Sequence, residues 1–563
     1  MSVNKEIADL FKRIGTLLEI KGDNPFKIRA YYKASDVLKG VSEDLRILSE
    51  QGELKNIPGI GQTLMDKIQE YLQTGQLAAM EKLSQEIPVS LLDIVEIPSV
   101  GPKKAKLFYE ELNVTTVAGL KKAAEDGKLL DLPGIKERTV EKILSGISLQ
   151  QEHQQRVNLH QATLLAGEVI AYLQENAPVQ KISKAGSLRR GKETIGDIDI
   201  LACAGNPKKV MEVFISAPFV QEVLVKGPTK SSVLTKGNKQ VDLRVVESSQ
   251  FGSALLYFTG SQHFNVKLRQ VAIKKKMKVN EYGVFKDDST DANEPLAAQT
   301  EEACLKILGL PFVEPELREH FGEKYIFEEN KIPRLIERGD IKGDFHVHST
   351  WSDGRCSIQE MVEQAKALGY QYLAVSDHSQ KLKVARGVSL SDLRKKKKEI
   401  DELNQKQSDV KILFGSEVEI DMNGDLDYNS AVLRDFDFVI AAVHTGFQQS
   451  YDQMTKRLLK ACQNKYVNAI AHPTGVHLGK RKAYEFDFKK ICQAAVEHNV
   501  FLEINAFPVR LDLNTEHIFY AREQGVKFII DTDAHHTDHM RYMPYGIALA
   551  RRGWLSKEDV LNT

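Results

Sequence analysis

Residues 343–354 read GDFHVHSTWSDG, and this stretch decides how the C-terminal part of the chain folds. An apolar strand pattern carries His346 and His348 two positions apart, so both side chains leave the same side of an extended backbone, and Asp353 follows within a turn. The texture then repeats. Apolar runs at 344–348, 372–378, 411–420, 436–444, 467–472, 500–506 and 526–535 alternate with helical periodicity. Runs that are apolar throughout suit parallel strands covered on both faces. Strand–helix alternation at this pitch predicts a (β/α) barrel of about seven units, with its chemistry at the C-terminal ends of the strands.

Nearly every run carries a potential metal ligand at or near its end. His346, His348 and Asp353 belong to the first, His378 to the second, Glu417 to the third, His444 to the fourth, His472 to the fifth, and Asp533 and His535 to the seventh. Nitrogen and oxygen donors without a thiolate suit borderline or hard divalent ions such as Mn²⁺, Fe²⁺ or Zn²⁺. Nine such donors are too many for one ion and suit two or three. A single histidine at a strand end is ordinarily solvated or capped, and His477, His498, His517, His536 and His539 keep that reading. Asp377 and Glu419 are expected behind the ligands, because metal-bound imidazoles need carboxylate or carbonyl partners.

Composition frames the rest. With 563 residues the chain is long enough for three to five domains. Lys+Arg and Asp+Glu both number 77, which excludes a globally basic nucleic-acid binder but not local basic faces. Hydrophobic content of 42% and charge of 27% exclude disorder as the default. The five cysteines form no CxxC pair, so neither a disulfide framework nor a thiolate zinc site is expected. No apolar run reaches the ~18 residues of a membrane span, and MSVNKEIADLFKRIG lacks the apolar core of a signal peptide. A soluble, cytoplasmic enzyme is the expectation.

Upstream lies a second acidic centre. In GSLRRGKETIGDID (186–199), Asp197 and Asp199 project to one side of a strand, and Asp242 in VDLRV, on another apolar strand, completes a triad. Three converging carboxylates repel unless cations sit between them, so a two-Mg²⁺ site is expected. Ser187, Arg189 and Arg190 offer hydroxyl and guanidinium groups to a polyphosphate. A long helix is expected at 151–175. Before it, helical periodicity at 5–20, 26–39, 61–73, 101–112 and 134–145 is punctuated by IPGIG (57–61), IPSVG (97–101) and LPGIK (132–136). Such a turn exposes backbone N–H groups at a helix N-terminus, where a DNA phosphate binds without sequence readout. Gly59, Gly61, Gly101 and Gly134 are the glycines concerned, and Lys136 weakens the third turn. Any one of these turns is also an ordinary helix connection.

The motifs HVHSTWSDG, SDHS, GSEVEI, AAVHTG, AHP and TDAH resemble those of the PHP (polymerase and histidinol phosphatase) domain. That likeness implies hydrolysis of phosphate esters by a metal-activated water over two or three ions held by the nine residues above. Tyr257-Phe258-Thr259-Gly260-Ser261, then Asn265, Arg269 and Asn280-Glu281-Tyr282, resemble the X family of DNA polymerases, the polymerase beta group. The resemblance implies that Asp197, Asp199 and Asp242 hold Mg²⁺ or Mn²⁺. Ser187, Arg190 and Gly196 would hold the triphosphate. Tyr257 and Phe258 would pack on the sugar beside Gly260, with Asn265 at the incoming base and Arg269 at the template. Gln240 departs from the family, which has an arginine buttressing the third carboxylate. KIRAYYKA, with Lys27, Tyr31 and Lys33, resembles a lyase domain in which Lys67 takes the place of the Schiff-base lysine. Thr63 and Phe26 replace a family lysine and histidine, so binding of a 5′-phosphate is expected and lyase chemistry at Lys67 is left open beside a solvated helix lysine.

Together these likenesses imply a multidomain chain of mixed α+β and α/β class. Its parts are a lyase-like helical DNA-binding domain (1–85), a helix-hairpin-helix region (86–150) and a nucleotidyltransferase palm (151–245). A nucleotide-selection subdomain (246–318), a linker (319–339) and the (β/α)7 barrel (340–563) follow. The expected function is gap-filling repair synthesis with a 3′–5′ exonuclease, 3′-phosphatase or abasic-endonuclease activity in the barrel. Gapped or nicked DNA and dNTPs are the expected partners, with other repair proteins and a monovalent cation at the hairpin turns as additions, and the chain is expected to be monomeric and nucleoid-associated. The rival readings are a small-molecule phosphoesterase docked to DNA by its front half, and a non-enzymatic DNA-end scaffold.

Overall fold

The computed structural model describes residues 3–39, 41, 45–97, 99–286 and 295–563. Pro98 of the second hairpin turn and residues 287–294 of the nucleotide-selection segment lie outside them. The chain divides into two compact units, Met1–Gln154 and Gln155–Thr563.

The first unit is helical. Helices Val3–Lys21 and Pro25–Lys39 pack on each other, and Gln62–Thr74, Ala78–Glu86, Pro102–Leu112 and Glu137–Gln155 follow. Its core of Ile7, Phe11, Leu17, Leu45, Ile68, Phe108 and Ile143 comes from the apolar stripes of these helices. Gly59 and Gly134 have φ of +87° and +79°, the left-handed backbone that the hairpin turns require. Gly61 and Gly101 are the N-caps of the helices that follow them.

The second unit opens with a correction. The long helix expected at 151–175 is broken: one helix ends at Gln155, Val157–Asn158 pairs antiparallel with Thr194–Ile195, and a new helix spans Leu159–Asn176. The Asn158 side chain caps it by accepting from the Gln161 N–H. The palm is a five-stranded sheet of β1 (Lys181–Lys184), β2 (Ile198–Cys203), β3 (Val220–Lys226), β4 (Lys230–Thr235) and β5 (Gln240–Val246), in spatial order β1-β2-β5-β4-β3. β2 and β5 run parallel with Asp199 directly opposite Asp242. Helices Phe251–Thr259 and Gln262–Lys274 follow.

The barrel expectation holds. Strands β6 (Gly343–Val347), β7 (Tyr372–Val375), β8 (Lys411–Glu419), β9 (Phe438–Ala442), β10 (Ala469–Ile470), β11 (Phe501–Asn505) and β12 (Phe528–Asp531) are ordered by sequence in one parallel sheet. A bridge between Val347 and Ala534 nearly closes it. Several strands are shorter than the apolar runs, because their C-terminal residues leave the ladder as they turn toward the site. His348, His378, His444, His472, Asp533 and His535 thus stand just past strand ends.

The segment 319–339 is packed against its surroundings, with Ile326, Leu335 and Ile336 buried. Beside it run two buried ionic chains. Glu301 accepts from Arg189 and Arg318, and Glu319 accepts from Arg190 and from Arg552 of the last barrel helix, both at 2.9 Å. These pairs tie the five-stranded sheet, the helical segment after it and the barrel within the second unit.

Candidate active sites

The barrel gathers all nine predicted ligands. Glu417 is the hub: its Oε2 lies 2.7 Å from His378 Nδ1 and 3.4 Å from His346 Nε2, and its Oε1 lies 2.9 Å from His472 Nε2 and 3.2 Å from His444 Nε2. Asp533 Oδ1 approaches His348 Nε2 at 3.2 Å, and Asp353 Oδ1 lies 3.5 Å from His378 and 3.4 Å from His535. Three donor groups result: His348, Asp353, His378 and His535; His346, His348 and Asp533; and His378, Glu417 and His444. They share His348 and His378, as a cluster of adjoining ions requires.

Divalent ions fit this set. His346 Nε2, both ring nitrogens of His348 and His472 Nδ1 are buried and make no hydrogen bond among the described residues. Each such atom costs about 1–3 kcal/mol if left unpaired, so their convergence calls for cations. The protonation states agree. Burial, then the charges of His535 and His378, press His348 down to about 4. Burial and Arg510 hold His472 at about 3, so both rings stay neutral and able to ligate. Burial opposes charging of His378 as well, but Glu417 and Asp353 outweigh it and lift that ring to about 10; there a cation would displace a proton. His472 and Asp533 have φ of +28° and +51°, strained backbone for side chains with a Cβ. Gly354 is needed by close approach, since a Cβ there would press on the His348 backbone.

Behind the ligands stand carboxylates. Glu419 Oε2 lies 2.8 Å from His444 Nδ1, as expected. Asp377 departs from its expected role: its hydrogen bonds go to Ser349, Ser352 and the buried Lys396, not to an imidazole. It holds the loop that carries Asp353. The matching partner of His346 is Glu503, whose Oε1 lies 2.6 Å from His346 Nδ1 and whose other oxygen accepts the His472 N–H. Asn505 steadies both Glu503 and Asp533. Sequence reading missed Glu503; the one available signal was a carboxylate two residues before a strand end in an otherwise apolar run.

The palm centre is more open. Asp197 is exposed, while Asp199 and Asp242 are half-buried on neighbouring strands. Burial, then the charges of Asp197 and Asp242, push Asp199 up to about 7. Gly186 (φ +56°) is required because a side chain there would overlap the Asp199 carboxylate. Gln240 Nε2 donates to Asp242 Oδ1 at 2.7 Å, so a neutral amide takes the buttressing position. A small cavity here is lined by Asp199, Asp242, Lys230, Arg244 and Phe258, with the Arg244 guanidinium 4.3 Å from the Phe258 ring centroid. Lys230 and Arg244 were not singled out from sequence. Ser187 lies on the turn Gly186–Arg189, and Gly196 faces Arg156. Arg190 is buried: it donates to Glu319 and, at 2.5 Å, to the Thr259 carbonyl, and would have to leave them to meet a triphosphate. Tyr257, Asn265 and Arg269 line one cavity with Asn280, and Asn265 Nδ2 donates to the Tyr257 carbonyl beside Gly260, the C-cap of that helix.

In the first unit, Lys27, Tyr31, Gly59, Gly61 and Lys67 line a single cavity of about 790 Å³, together with Lys21, Thr63 and Lys82. Tyr31 is buried against Phe11, Lys27 pairs with Asp23 at 3.0 Å, and Phe26 is 78% exposed.

An acidic palm beside a helical thumb, followed by a histidine-lined barrel, defines a polymerase-type nucleotidyltransferase joined to a metal phosphoesterase. Comparison with known proteins agrees. Models of a helix-hairpin-helix domain match residues 2–77, a SAM-like helix-hairpin-helix tandem 91–148, the DNA polymerase beta thumb 254–319 and the PHP domain 344–507. The DNA polymerase/3′-5′ exonuclease PolX of Bacillus subtilis (strain 168) is 39% identical over 560 residues, covering 99% of this chain and 97% of that protein. DNA polymerase lambda of Rattus norvegicus is 25% identical over 343 residues, covering 56% of each chain. A probable phosphatase of Thermoanaerobacter sp. (strain X514) is 31% identical over 232 residues, or 39% of this chain and 89% of its own length. The chain belongs to the PolX family of DNA polymerase/3′-5′ exonucleases.

Proposed function

We propose that this protein extends primers across short DNA gaps from its palm and trims or cleans 3′ ends in its barrel. The observation that supports the reading is that one chain carries two separate sets of candidate ligands: Asp199 opposite Asp242 in the palm, and the histidines and carboxylates gathered around Glu417 in the barrel. Asp197, Asp199 and Asp242 would hold Mg²⁺ or Mn²⁺, with Asp242 activating the primer 3′-hydroxyl and Ser187, Arg190 and Gly196 receiving the triphosphate. Tyr257, Phe258 and Gly260 would face the sugar, Asn265 the base and Arg269 the template. Metal ions, when bound, supply a nucleophile at neutral pH and neutralise charge on the reacting phosphate. The chain's own contribution is positional: Gln240 holds the Asp242 carboxylate, and Glu419 and Glu503 fix the faces of His444 and His346.

In the barrel we assign two or three ions of Mn²⁺, Zn²⁺ or Fe²⁺ to the nine ligands, and 3′–5′ exonuclease activity with 3′-phosphatase or abasic-site cleavage as further activities. The likeness of the barrel to a probable phosphatase supports the monoester activity. The helical unit would hold DNA ends through Gly59, Gly61, Gly101 and Gly134, with a monovalent cation at the turns. The cavity around Lys67, Lys27 and Tyr31 would receive a 5′-phosphate, and Lys67 is the candidate for lyase chemistry. The domain boundaries drawn from the sequence, a monomeric state, contacts with other repair proteins and a nucleoid-associated cytoplasmic location belong to the same proposal. Among the described residues no helix is long and apolar enough to cross a membrane. The test uses a 5′-labelled primer on a one-nucleotide gap with Mn²⁺, with and without dNTPs, on the wild type, Asp199→Ala and His346→Ala. Extension lost only in the first variant and shortening lost only in the second supports two independent centres. Extension surviving in Asp199→Ala refutes the palm assignment, and full nuclease activity in His346→Ala refutes that of the barrel.

A further inference from the structure

The loop after β11, residues 506–512 (AFPVRLD), meets the metal centre with two different kinds of side chain. Arg510 brings a guanidinium, with Nε 3.8 Å from Asp533 Oδ2. Its Nη1 is enclosed and makes no hydrogen bond among the described residues. Two arginines buried elsewhere show how such a group is met within the fold: Arg318 donates to Glu301 and twice to the Val313 carbonyl, and Arg552 to Glu319, Thr515 and the Arg190 carbonyl. A buried N–H of a charged group beside a ligand set costs free energy until an oxyanion meets it, and a phosphate oxygen is the anion that matches a guanidinium.

Phe507 brings an aromatic face. The Arg510 N–H donates to the Phe507 carbonyl at 2.8 Å, so the two residues are held by one tight turn. The Phe507 ring centroid lies 6.5 Å from that of the ligand His535. It stands edge-on to His539 (5.1 Å, 82°) and to Tyr542 (5.5 Å, 89°), while His539 and Tyr542 stack at 5.4 Å with 17° between planes. The His535 N–H donates to His539 Nδ1 at 3.3 Å, which fixes that ring relative to the metal ligand itself. A cluster that only packed the loop on the next helix would close over its rings, as the core closes over Trp554 and Phe264, each 1% exposed. Phe507, His539 and Tyr542 are instead half-buried, so ring surface remains for a further partner.

We propose that Phe507, His539 and Tyr542 form a shelf on which the base of the terminal nucleotide stacks while Arg510 holds the phosphate to be cut. The barrel then recognises a nucleoside at a strand end and not a phosphate ester alone. This rests on the reading of the barrel as a 3′–5′ exonuclease and names the part of the substrate that the ligands do not touch. Stacking suits that role because every base offers a π-face, so the shelf serves any sequence. His539, which the sequence left as an ordinary histidine, becomes a specificity-determining residue.

The test compares two 5′-labelled single strands with the full-length protein and Mn²⁺. They are identical except that one ends in a normal nucleotide and the other in a tetrahydrofuran residue, which has the sugar and phosphate but no base. The wild type is expected to remove the base-bearing residue with the higher kcat/KM. Phe507→Leu and Tyr542→Leu, which keep bulk but lose the π-face, are expected to lower kcat/KM about tenfold on the base-bearing end and to leave the abasic end unchanged. Phe507→Trp should retain the discrimination. Arg510→Ala should slow both ends equally and weaken inhibition by inorganic phosphate, with metal content by elemental analysis equal to the wild type. Equal rates on both ends in the wild type, or an equal loss on both ends in Phe507→Leu and Tyr542→Leu, overturn the shelf. A wild type that removes neither residue yet hydrolyses a phosphomonoester overturns the exonuclease reading beneath it, a failure distinguishable from the other two.

Discussion

In the palm, Asp199 stands among the charges of Asp197 and Asp242, and a neutral amide donates to Asp242; in the barrel, carboxylates are interleaved with imidazoles. The palm keeps Asp197 exposed, and mutual repulsion with burial raises Asp199 to about 7. The barrel buries Glu417 and Asp533, whose own desolvation is outweighed by the imidazoles around them, so both stay well below the ordinary carboxylate range. The difference separates a site whose carboxylates raise one another's hold on a proton from one whose carboxylates are kept ionised by the imidazoles around them. The first is assembled from two strands of one sheet, and the second from every strand of a nearly closed barrel.

The strongest break of this comparison is to remove one ligand from each side. Glu417→Gln should reduce 3′-end trimming by about 10³-fold or more and leave gap filling intact, because Glu417 touches four imidazoles at once. Asp199→Ala should do the reverse. Initial rates of extension and of trimming on the same gapped substrate check both, and any variant that silences the two activities together would merge the centres.

A smaller effect tests what the carboxylates behind the imidazoles contribute. Glu503→Gln preserves shape but weakens the acceptor for His346 Nδ1, and a loss of about 10- to 100-fold in metal affinity or trimming is expected. Titration of metal-stripped protein with Mn²⁺ measures it. No such variant exists for the palm, where no comparable partner stands behind Asp197 or Asp199 among the described residues.

The third test uses pH. The Asp199 carboxyl titrates near 7 when folded and near 3.8 when not, so the folded state holds its proton more tightly. Folding is then unpenalised below the unfolded value, loses stability as pH rises from about 4 to 7, and carries the full penalty above that. Metal-free protein should therefore gain thermal stability at pH 8, but not at pH 4, when Asp199 becomes Asn, by a few degrees. Mg²⁺ should raise the Tm of the wild type at pH 8 and not that of the variant. An equal shift at both pH values would mean that packing, not charge, is responsible.

These contrasts also mark what could be read from the chain before its fold was known. The barrel was legible because its apolar runs alternate with helical patterns, and the gathering of histidines and carboxylates because most stand at or near the ends of those runs; Asp199 and Asp242 stood out because apolar strands carry them. Glu503 was not legible, since a carboxylate in the middle of an apolar run shows its purpose only when the fold brings it to His346 on β6 and to the backbone of His472 just past β10. Asp377 misled for the converse reason: adjacency to His378 suggested a partner, but the strand end turns it toward Ser349 and Lys396. The break at Arg156–Asn158 was missed because helical periodicity continues across it, although Asn158 is a good N-cap. The ionic seam of Arg190, Glu319 and Arg552 joins residues far apart in sequence, which no local pattern announces.

The smallest effect bears on the palm's weakest point. Gln240 supports Asp242 through one hydrogen bond of 2.7 Å from a neutral amide, where a guanidinium would supply charge as well as direction. A hydrogen bond to a charged group contributes about 1.5–3 kcal/mol net, only part of which bears on the rate. Gln240→Leu should thus slow extension by several-fold without touching trimming. Gln240→Arg should hold Asp242 as firmly or more so, and should lower the Mg²⁺ requirement only if its charge does not repel the incoming ions. A single-turnover extension assay across Mg²⁺ concentrations separates the two effects. Faster turnover at saturating Mg²⁺ with weaker Mg²⁺ binding would show that the amide preserves an acidic palm at some expense of rigidity. Slower turnover at every concentration would show that direction alone is what Asp242 requires.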